Sequence, residues 1–272
     1  MTCVLGTAAA GNIKMDYCRF GSGSGQMVII PGLSVQSVLL FKEAIEKQYK
    51  VFTSDYDVYV FDRRQDIPEG YTVADMAEDT ASAMKSLGIR DACIFGASQG
   101  GMITMLIAAE HPELVSAIAL GSTSAHLSDE AEDSLKKWAD LAAAGDRLNL
   151  YMEFAVRVYN PEMFEQFKGA LAVMSEKVSD EELERFRRLT VGTAGLDIRD
   201  KLSSIKCPAL VIGDMTDMVL GGDASVEIYE ILKDKGNSEL YMYDGFGHAA
   251  YDAAPDYTDR LYSFFNRAII SR

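Results

Sequence analysis

Residues 91–110, DACIFGASQGGMITMLIAAE, constrain the fold more than any other stretch of the chain. Ala92-Cys93-Ile94-Phe95 is an apolar run without alternation, the pattern of a strand buried on both faces. Small residues follow, Gly96-Ala97-Ser98-Gln99-Gly100-Gly101, and then a segment apolar nearly all round from Met102 to Ala109, which suits a helix packed inside a larger protein. A buried strand, a tight corner and a buried helix in succession belong to a parallel sheet covered by helices. The corner reads G-x-S-x-G from Gly96 to Gly100. A serine held at such a corner needs neighbours without bulky Cβ substituents, or the turn cannot close. A glycine-rich turn with a capping serine is the plainer reading, and the residues downstream weigh against it.

The rest of the chain carries the same rhythm. Thr7–Ala10 and Ile13–Phe20 read as a hairpin about Gly11-Asn12. Gly21-Ser22-Gly23-Ser24-Gly25 leads into a strand, Met27–Ile30, and so lacks the helix N-terminus of a phosphate-binding loop. Helical periodicity follows Pro31-Gly32-Leu33-Ser34 and runs through Tyr49, and Tyr56–Phe61 is another buried strand. Thr72 caps a helix that extends to Leu87, with Gly88 beyond its end. The helix after Ser98 stops at His111-Pro112, and Val115–Leu120 is the sixth strand. From His126 to about Lys201 no strand is expected, only helices near 128–144, 148–158, 161–176 and 180–195. Alternation then resumes: strand Ala209–Gly213, helix 222–235, strand Glu239–Tyr243 and helix 256–270. The expected organisation is an α/β core from residues 1–125 and 202–272, with 126–201 as a helical cap.

Lys plus Arg total 26 against 41 Asp plus Glu, a formal charge of −15 that repels nucleic acid. No apolar run reaches the roughly 18 residues that span a bilayer, so no membrane association is expected. The N-terminus lacks a basic segment and its apolar part is short, so it reads as the first strand and not as a signal peptide. Cys3, Cys18, Cys93 and Cys207 are widely spaced without a C-x-x-C, which suits reduced thiols in a cytoplasmic protein. No His/Asp/Glu cluster has metal-ligand spacing, and neither metal nor organic cofactor is expected.

A serine hydroxyl becomes a useful nucleophile when a base takes its proton and a carboxylate orients that base. The chain has three histidines. His111 ends the helix after Ser98, where a histidine caps carbonyls and favours the helix dipole. His126 lies where the chain leaves the sheet, either at a pocket mouth or simply exposed. His248 sits in Gly245-Phe246-Gly247-His248, directly after the last strand, and is the expected base. The loop after Ala209–Gly213 offers Asp214 and Asp217 as the acid. Asp217 is favoured because it reaches further over the sheet edge, and Asp214 is the alternative, with a role in bracing the turn. Oxyanion donors are expected from the backbone N–H groups of Gln99, next to the nucleophile, and Leu33, after the third strand.

The order Ser98…Asp217…His248, with Pro31-Gly32-Leu33, Phe61-Asp62-Arg63, Gly96-Ala97-Ser98-Gln99-Gly100-Gly101, Gly213-Asp214-Met215-Thr216-Asp217 and Gly245-Phe246-Gly247-His248, resembles the α/β-hydrolase superfamily in its small bacterial serine-esterase branch. The resemblance spans the chain. It implies an eight-stranded, mostly parallel sheet with a helical cap after the sixth strand, and hydrolysis through an acyl-enzyme. Two positions depart from many relatives: Pro31-Gly32 stands where they have His-Gly, and Arg64-Gln65-Asp66 where they have glycines. A serine hydrolase acting on a small neutral, partly apolar ester, thioester or lactone is the favoured reading. A peptidase or carbon–carbon bond hydrolase using the same triad is the alternative, and a non-catalytic ligand receptor is third. The insertion is rich in Met and Phe, and His126, Met152, Phe154, Met163, Phe164 and Phe167 are the expected pocket residues, with Met174 on the same soft apolar segment. Sequence alone leaves the oligomeric state open between monomer and homodimer.

Overall fold

The computed structural model describes residues 3–270, so the outermost residues of the expected core, 1–2 and 271–272, lie outside the described residues. One sheet holds eight strands in the order β1-β2-β4-β3-β5-β6-β7-β8. β1 (Val4–Ala10) and β2 (Ile13–Gly21) are an antiparallel hairpin turning at Gly11, which takes a φ of 62°. β2 runs antiparallel to β4 (Tyr56–Arg64). From there β3 (Gly25–Ile30), β5 (Ala92–Ala97), β6 (Val115–Gly121), β7 (Ala209–Asp214) and β8 (Ser238–Tyr243) continue the sheet in parallel. Every residue of β5, β6 and β7 is buried, which is why their sequences do not alternate.

Eleven α-helices complete the described chain: α1 (Lys42–Gln48), α2 (Val73–Ser86), α3 (Gln99–Glu110), α4 (Asp129–Ala143), α5 (Arg147–Val158), α6 (Pro161–Ser175), α7 (Asp180–Val191), α8 (Arg199–Leu202), α9 (Gly222–Leu232), α10 (Ala250–Ala253) and α11 (Tyr257–Ile270). Two cores form, one on each sheet face. Met76 and Met84 of α2, Met105 and Ile107 of α3 and Ile228 of α9 pack on one face. Phe52, Leu261, Phe264 and Phe265 pack on the other, so α11 and the segment after α1 cover it. The expected start of α2 is a capping box: Thr72 Oγ1 accepts from Asp75 N–H at 3.2 Å and the Asp75 carboxylate accepts from Thr72 N–H at 2.8 Å.

Residues 126–201 leave the sheet between β6 and β7 and return beside their own start. Leu127 N–H donates to Leu196 O at 3.1 Å and Ile198 N–H to Ala125 O at 2.8 Å, and a lone bridge pairs His126 with Asp197. Each helix between has a side-chain N-cap: Ser128, Asp146, Asn160 ahead of Pro161, and Ser179. Leu135, Trp138, Leu150 and Phe186 form a third apolar cluster among them. α7 is fixed to the sheet edge. Arg185 pairs with Asp62 at 2.6 Å, Arg188 Nη1 donates to Ile67 O at 2.6 Å, and the backbone at Gly192 passes so near Tyr71 O that a Cβ would lie 1.8 Å from it. α6 is different. Ser175 is its one buried residue among those described.

The start of α3 rests on the end of β3 with no room for a side chain. A Cβ at Gly100 would lie 1.9 Å from Ile30 O and 2.6 Å from Pro31 O; at Gly96 it would meet Gly100 O at 2.3 Å. Gly100→Ala is therefore expected to destabilise the protein by at least about 1–3 kcal/mol, since backbone and not a flexible side chain blocks the space. A denaturant midpoint unchanged by that substitution would contradict the packing described.

Candidate active site

Ser98 sits between β5 and α3 with φ 53° and ψ −124°, a positive φ that non-glycine residues rarely adopt. The corner is held on both sides. Ser98 N–H donates to Gly121 O at 2.8 Å, and its carbonyl accepts from Gly101 N–H at 2.8 Å and Thr123 Oγ1 at 2.7 Å. Gly32 approaches from the turn after β3, where a Cβ would lie 3.0 Å from Ser98 Cβ and 3.6 Å from Oγ. The Ser98 side chain is half-buried and faces a cavity of about 730 Å³ that also takes in Gly32, Leu33, Gln99 and His248.

His248 is carried by the loop after β8, which turns through positive φ at Gly245 (100°) and Gly247 (72°). Its Nδ1 lies 2.8 Å from Asp217 Oδ2, and since a carboxylate accepts, Nδ1 carries the proton. That leaves Nε2 as the basic nitrogen. Both residues are nearly closed to solvent, His248 at 2% and Asp217 at 8% exposure. Asp217 Oδ1 accepts from Val219 N–H at 2.8 Å and Leu220 N–H at 3.1 Å. Burial pushes the Asp217 carboxyl up, yet the charge and hydrogen bond of His248 and the two backbone donors together bring it below its ordinary value. No hydrogen bond among the described residues joins Ser98 Oγ to His248, and such contacts commonly close only when substrate binds.

Asp214 takes the bracing position. It is 0% exposed, and its Oδ1 accepts from Thr216 N–H at 2.7 Å, Thr216 Oγ1 at 2.5 Å and Gly245 N–H at 3.3 Å, with Oδ2 accepting from Phe246 N–H at 2.8 Å. It thus ties the loop of Asp217 to the loop of His248. The N–H groups of Leu33 and Gln99 make no hydrogen bond among the described residues. For Gln99 this follows from its place as the first residue of α3. Arg63, whose role the sequence did not reveal, anchors the segments that carry both N–H groups. Arg63 Nη2 donates to Pro31 O at 2.7 Å and to Gln99 Oε1 at 2.9 Å, while Gln99 Nε2 donates to Thr193 Oγ1 at 2.7 Å. Burial pulls the Arg63 guanidinium down to about 10, so it stays charged at neutral pH. The Pro31-Gly32 turn thereby has an anchor of its own.

Of the expected pocket residues, Phe154, Met163 and Phe167 line the cavity, and Met174 with them. His126, Met152 and Phe164 do not. His126 Nδ1 is taken by Glu227 Oε2 at 2.8 Å, at the base of the insertion. On α6 the lining residues Met163, Phe167, Leu171 and Met174 follow the helical period, which turns the adjacent Phe164 about 100° away. On α5, Phe154 and Val158 face the cavity and Met152, two residues earlier, packs among the insertion helices. Trp138 and Asp252 also line the cavity, and neither was singled out by sequence. The Trp138 indole N–H is buried with no partner among the described residues.

Residues 21–255 match the family model described as the alpha/beta hydrolase fold. The chain belongs to the α/β-hydrolase family. Relatives include a protein of Cronobacter sakazakii named as the carbamate hydrolase RutD, 28% identical over 76% of this chain and 80% of its own. Another, named 3-oxoadipate enol-lactonase 2 of Acinetobacter baylyi, is 22% identical over 78% and 79%. Among solved structures, MGS-M2, an alpha/beta hydrolase enzyme from a Medee basin deep-sea metagenome library, superposes with a TM-score of 0.85 over 96% of this chain and 97% of its own, at 23% identity. The α/β-hydrolase has no helix among the described residues that is long and apolar enough to cross a membrane.

Loss of a buried, fully engaged acceptor leaves its donors unpaired. Asp214→Asn is expected to cost about 1–3 kcal/mol in stability. An Asp214→Asn protein as stable as the parent in a thermal melt would remove its bracing role.

Proposed function

We propose that the protein is a serine hydrolase that cleaves a small, partly apolar carboxylic ester, or a thioester or lactone, through an acyl-enzyme. The observation that carries this reading is the buried Asp217–His248 pair, 2.8 Å apart, whose His248 lines the same cavity that exposes Ser98 at a backbone corner. Ser98 Oγ attacks the carbonyl carbon and passes its proton to His248 Nε2. Asp217, held ionised by the charge and hydrogen bond of His248 and by its backbone donors, keeps the imidazole in the required tautomer and stabilises the imidazolium. The N–H groups of Leu33 and Gln99 receive the oxyanion, worth roughly 3 kcal/mol per donor. His248 returns the proton to the leaving alcohol, and a water activated by the same base releases the acid.

Residues 126–201 act as a cap over this cavity. The methionine and aromatic side chains of α5 and α6 give the acyl or alkyl part an uncharged, adaptable wall. Relatives named as a carbamate hydrolase, an enol-lactonase and a deacetylase are consistent with acyl-transfer chemistry, and lactones and carbamates belong beside esters in a substrate panel. The wide spacing of Cys3, Cys18, Cys93 and Cys207, without a C-x-x-C, favours a cytoplasmic location.

Ser98→Ala should fold normally and lose several orders of magnitude in ester turnover, and Asp217→Asn should lose on the order of 10⁴. Retained turnover in Ser98→Ala would refute the assignment. Across p-nitrophenyl esters, kcat/KM should rise from acetyl to longer chains by up to about 0.8 kcal/mol per buried methylene and fall once the cavity is full. A flat series, or a strong preference for peptides, would argue against an apolar acyl site.

A further inference from the structure

One end of the otherwise apolar cavity carries a carboxylate for which the proposed hydrolysis has no use. Asp252 follows His248 by four residues, lies in α10 and lines the cavity together with Gln48, Tyr49, Tyr159 and Tyr251. Its side chain is exposed, yet desolvation by surrounding protein pushes its carboxyl up to about 6. The carboxylate belongs to a residue that borders the cavity of Ser98 and His248. The chain gives this carboxylate little compensation. No ion pair engages it among the described residues; a hydrogen bond from Gln48 Nε2 at 3.3 Å, a donor shared with Tyr251 O at 2.9 Å, and the charge of His248 favour its ionised form. Aromatic groups crowd around it. After burial, the charge of Asp252 is the next influence pushing the hydroxyls of Tyr49, Tyr159 and Tyr251 upward. The Tyr251 ring in turn stands edge-on to His248, with centroids 6.2 Å apart.

A single carboxylate set among tyrosine rings at the edge of an apolar chamber attracts an organic cation by charge and by the ring faces, without requiring it to donate hydrogen bonds. The formal charge of −15 adds to that attraction at long range. We propose that Asp252 with Tyr49, Tyr159 and Tyr251 forms a subsite for an alkylated ammonium group on the substrate, beside the apolar wall that takes the uncharged acyl part. This rests on the hydrolase reading for the position of the ester, but not for the cation site itself, and it replaces the expected neutral substrate with one that carries a cation.

The test compares butyrylcholine with 3,3-dimethylbutyl butyrate, its neutral carbon isostere, at about pH 8, where Asp252 is ionised. In the parent protein kcat/KM should favour the choline ester by about tenfold or more, and in Asp252→Asn the ratio should fall to about one or below. Binding without turnover, measured by calorimetry on Ser98→Ala protein, should show the same preference, and Ser98→Ala/Asp252→Asn should lose it. Equal binding of the two esters to Ser98→Ala protein, or a preference that survives Asp252→Asn, would overturn the subsite. Tighter binding of the choline ester with hydrolysis of neither would uphold the subsite and refute the hydrolase reading instead.

Discussion

Ser98 holds a φ of 53° although it carries a side chain, a backbone state that costs on the order of 1–3 kcal/mol and persists only where its surroundings over-determine it. Here they do so by removing side chains. Gly96 and Gly100 let the end of β5, the start of α3 and the end of β3 approach to distances that any Cβ would block, and a Cβ at Gly32 would crowd Ser98. Hydrogen bonds to Gly121 O and from Thr123 Oγ1 then fix the corner against β6 and the segment after it. The same closeness sets Leu33 and Gln99 beside Ser98, so one steric constraint organises both the hydroxyl and the two free N–H groups.

The remaining parts converge on that corner from separate elements. Asp214 links the loops after β7 and β8, and so fixes Asp217 relative to His248. Arg63, from the end of β4, holds Pro31 O and Gln99, and Gln99 extends the contact to Thr193 beyond α7. Ala249 N–H donates to Val158 O at 3.0 Å, joining the His248 loop to the end of α5. The insertion is therefore tied to the site at both its α5 and α7 sides. α6, which presents Met163 and Phe167 to the cavity, lies between these anchors and has fewer buried residues than α4, α5 or α7.

Much of this was legible in the sequence because it depends on local chemistry. The elbow is a run of small residues with no other economical use, strands buried on both faces show as unbroken apolar runs, and the insertion shows as a loss of strand pattern. In the sequence Asp217 and Asp214 separate only by reach; in the structure Asp217 lies beside His248 and Asp214 beneath the loops. The phase of the insertion helices was not legible. α5 and α6 carry apolar residues on more than one face, so Met152 and Phe164 look as suitable as Phe154 and Met163 until their neighbours are known. His126 was ambiguous because its partner, Glu227, lies 101 residues away. Asp252 looks like an ordinary acidic residue in a short surface helix, and its meaning comes entirely from the cavity it borders.

The central claim is that Ser98 is the nucleophile of this α/β-hydrolase. Covalent labelling with an alkyl fluorophosphonate, followed by peptide mass spectrometry, tests it without knowledge of the natural substrate. The account predicts one phosphonyl adduct per chain, located on Ser98, and strongly slowed labelling in His248→Ala protein, which lacks the base. An unmodified Ser98, or an adduct on another residue formed as fast in the presence or absence of His248, would contradict it.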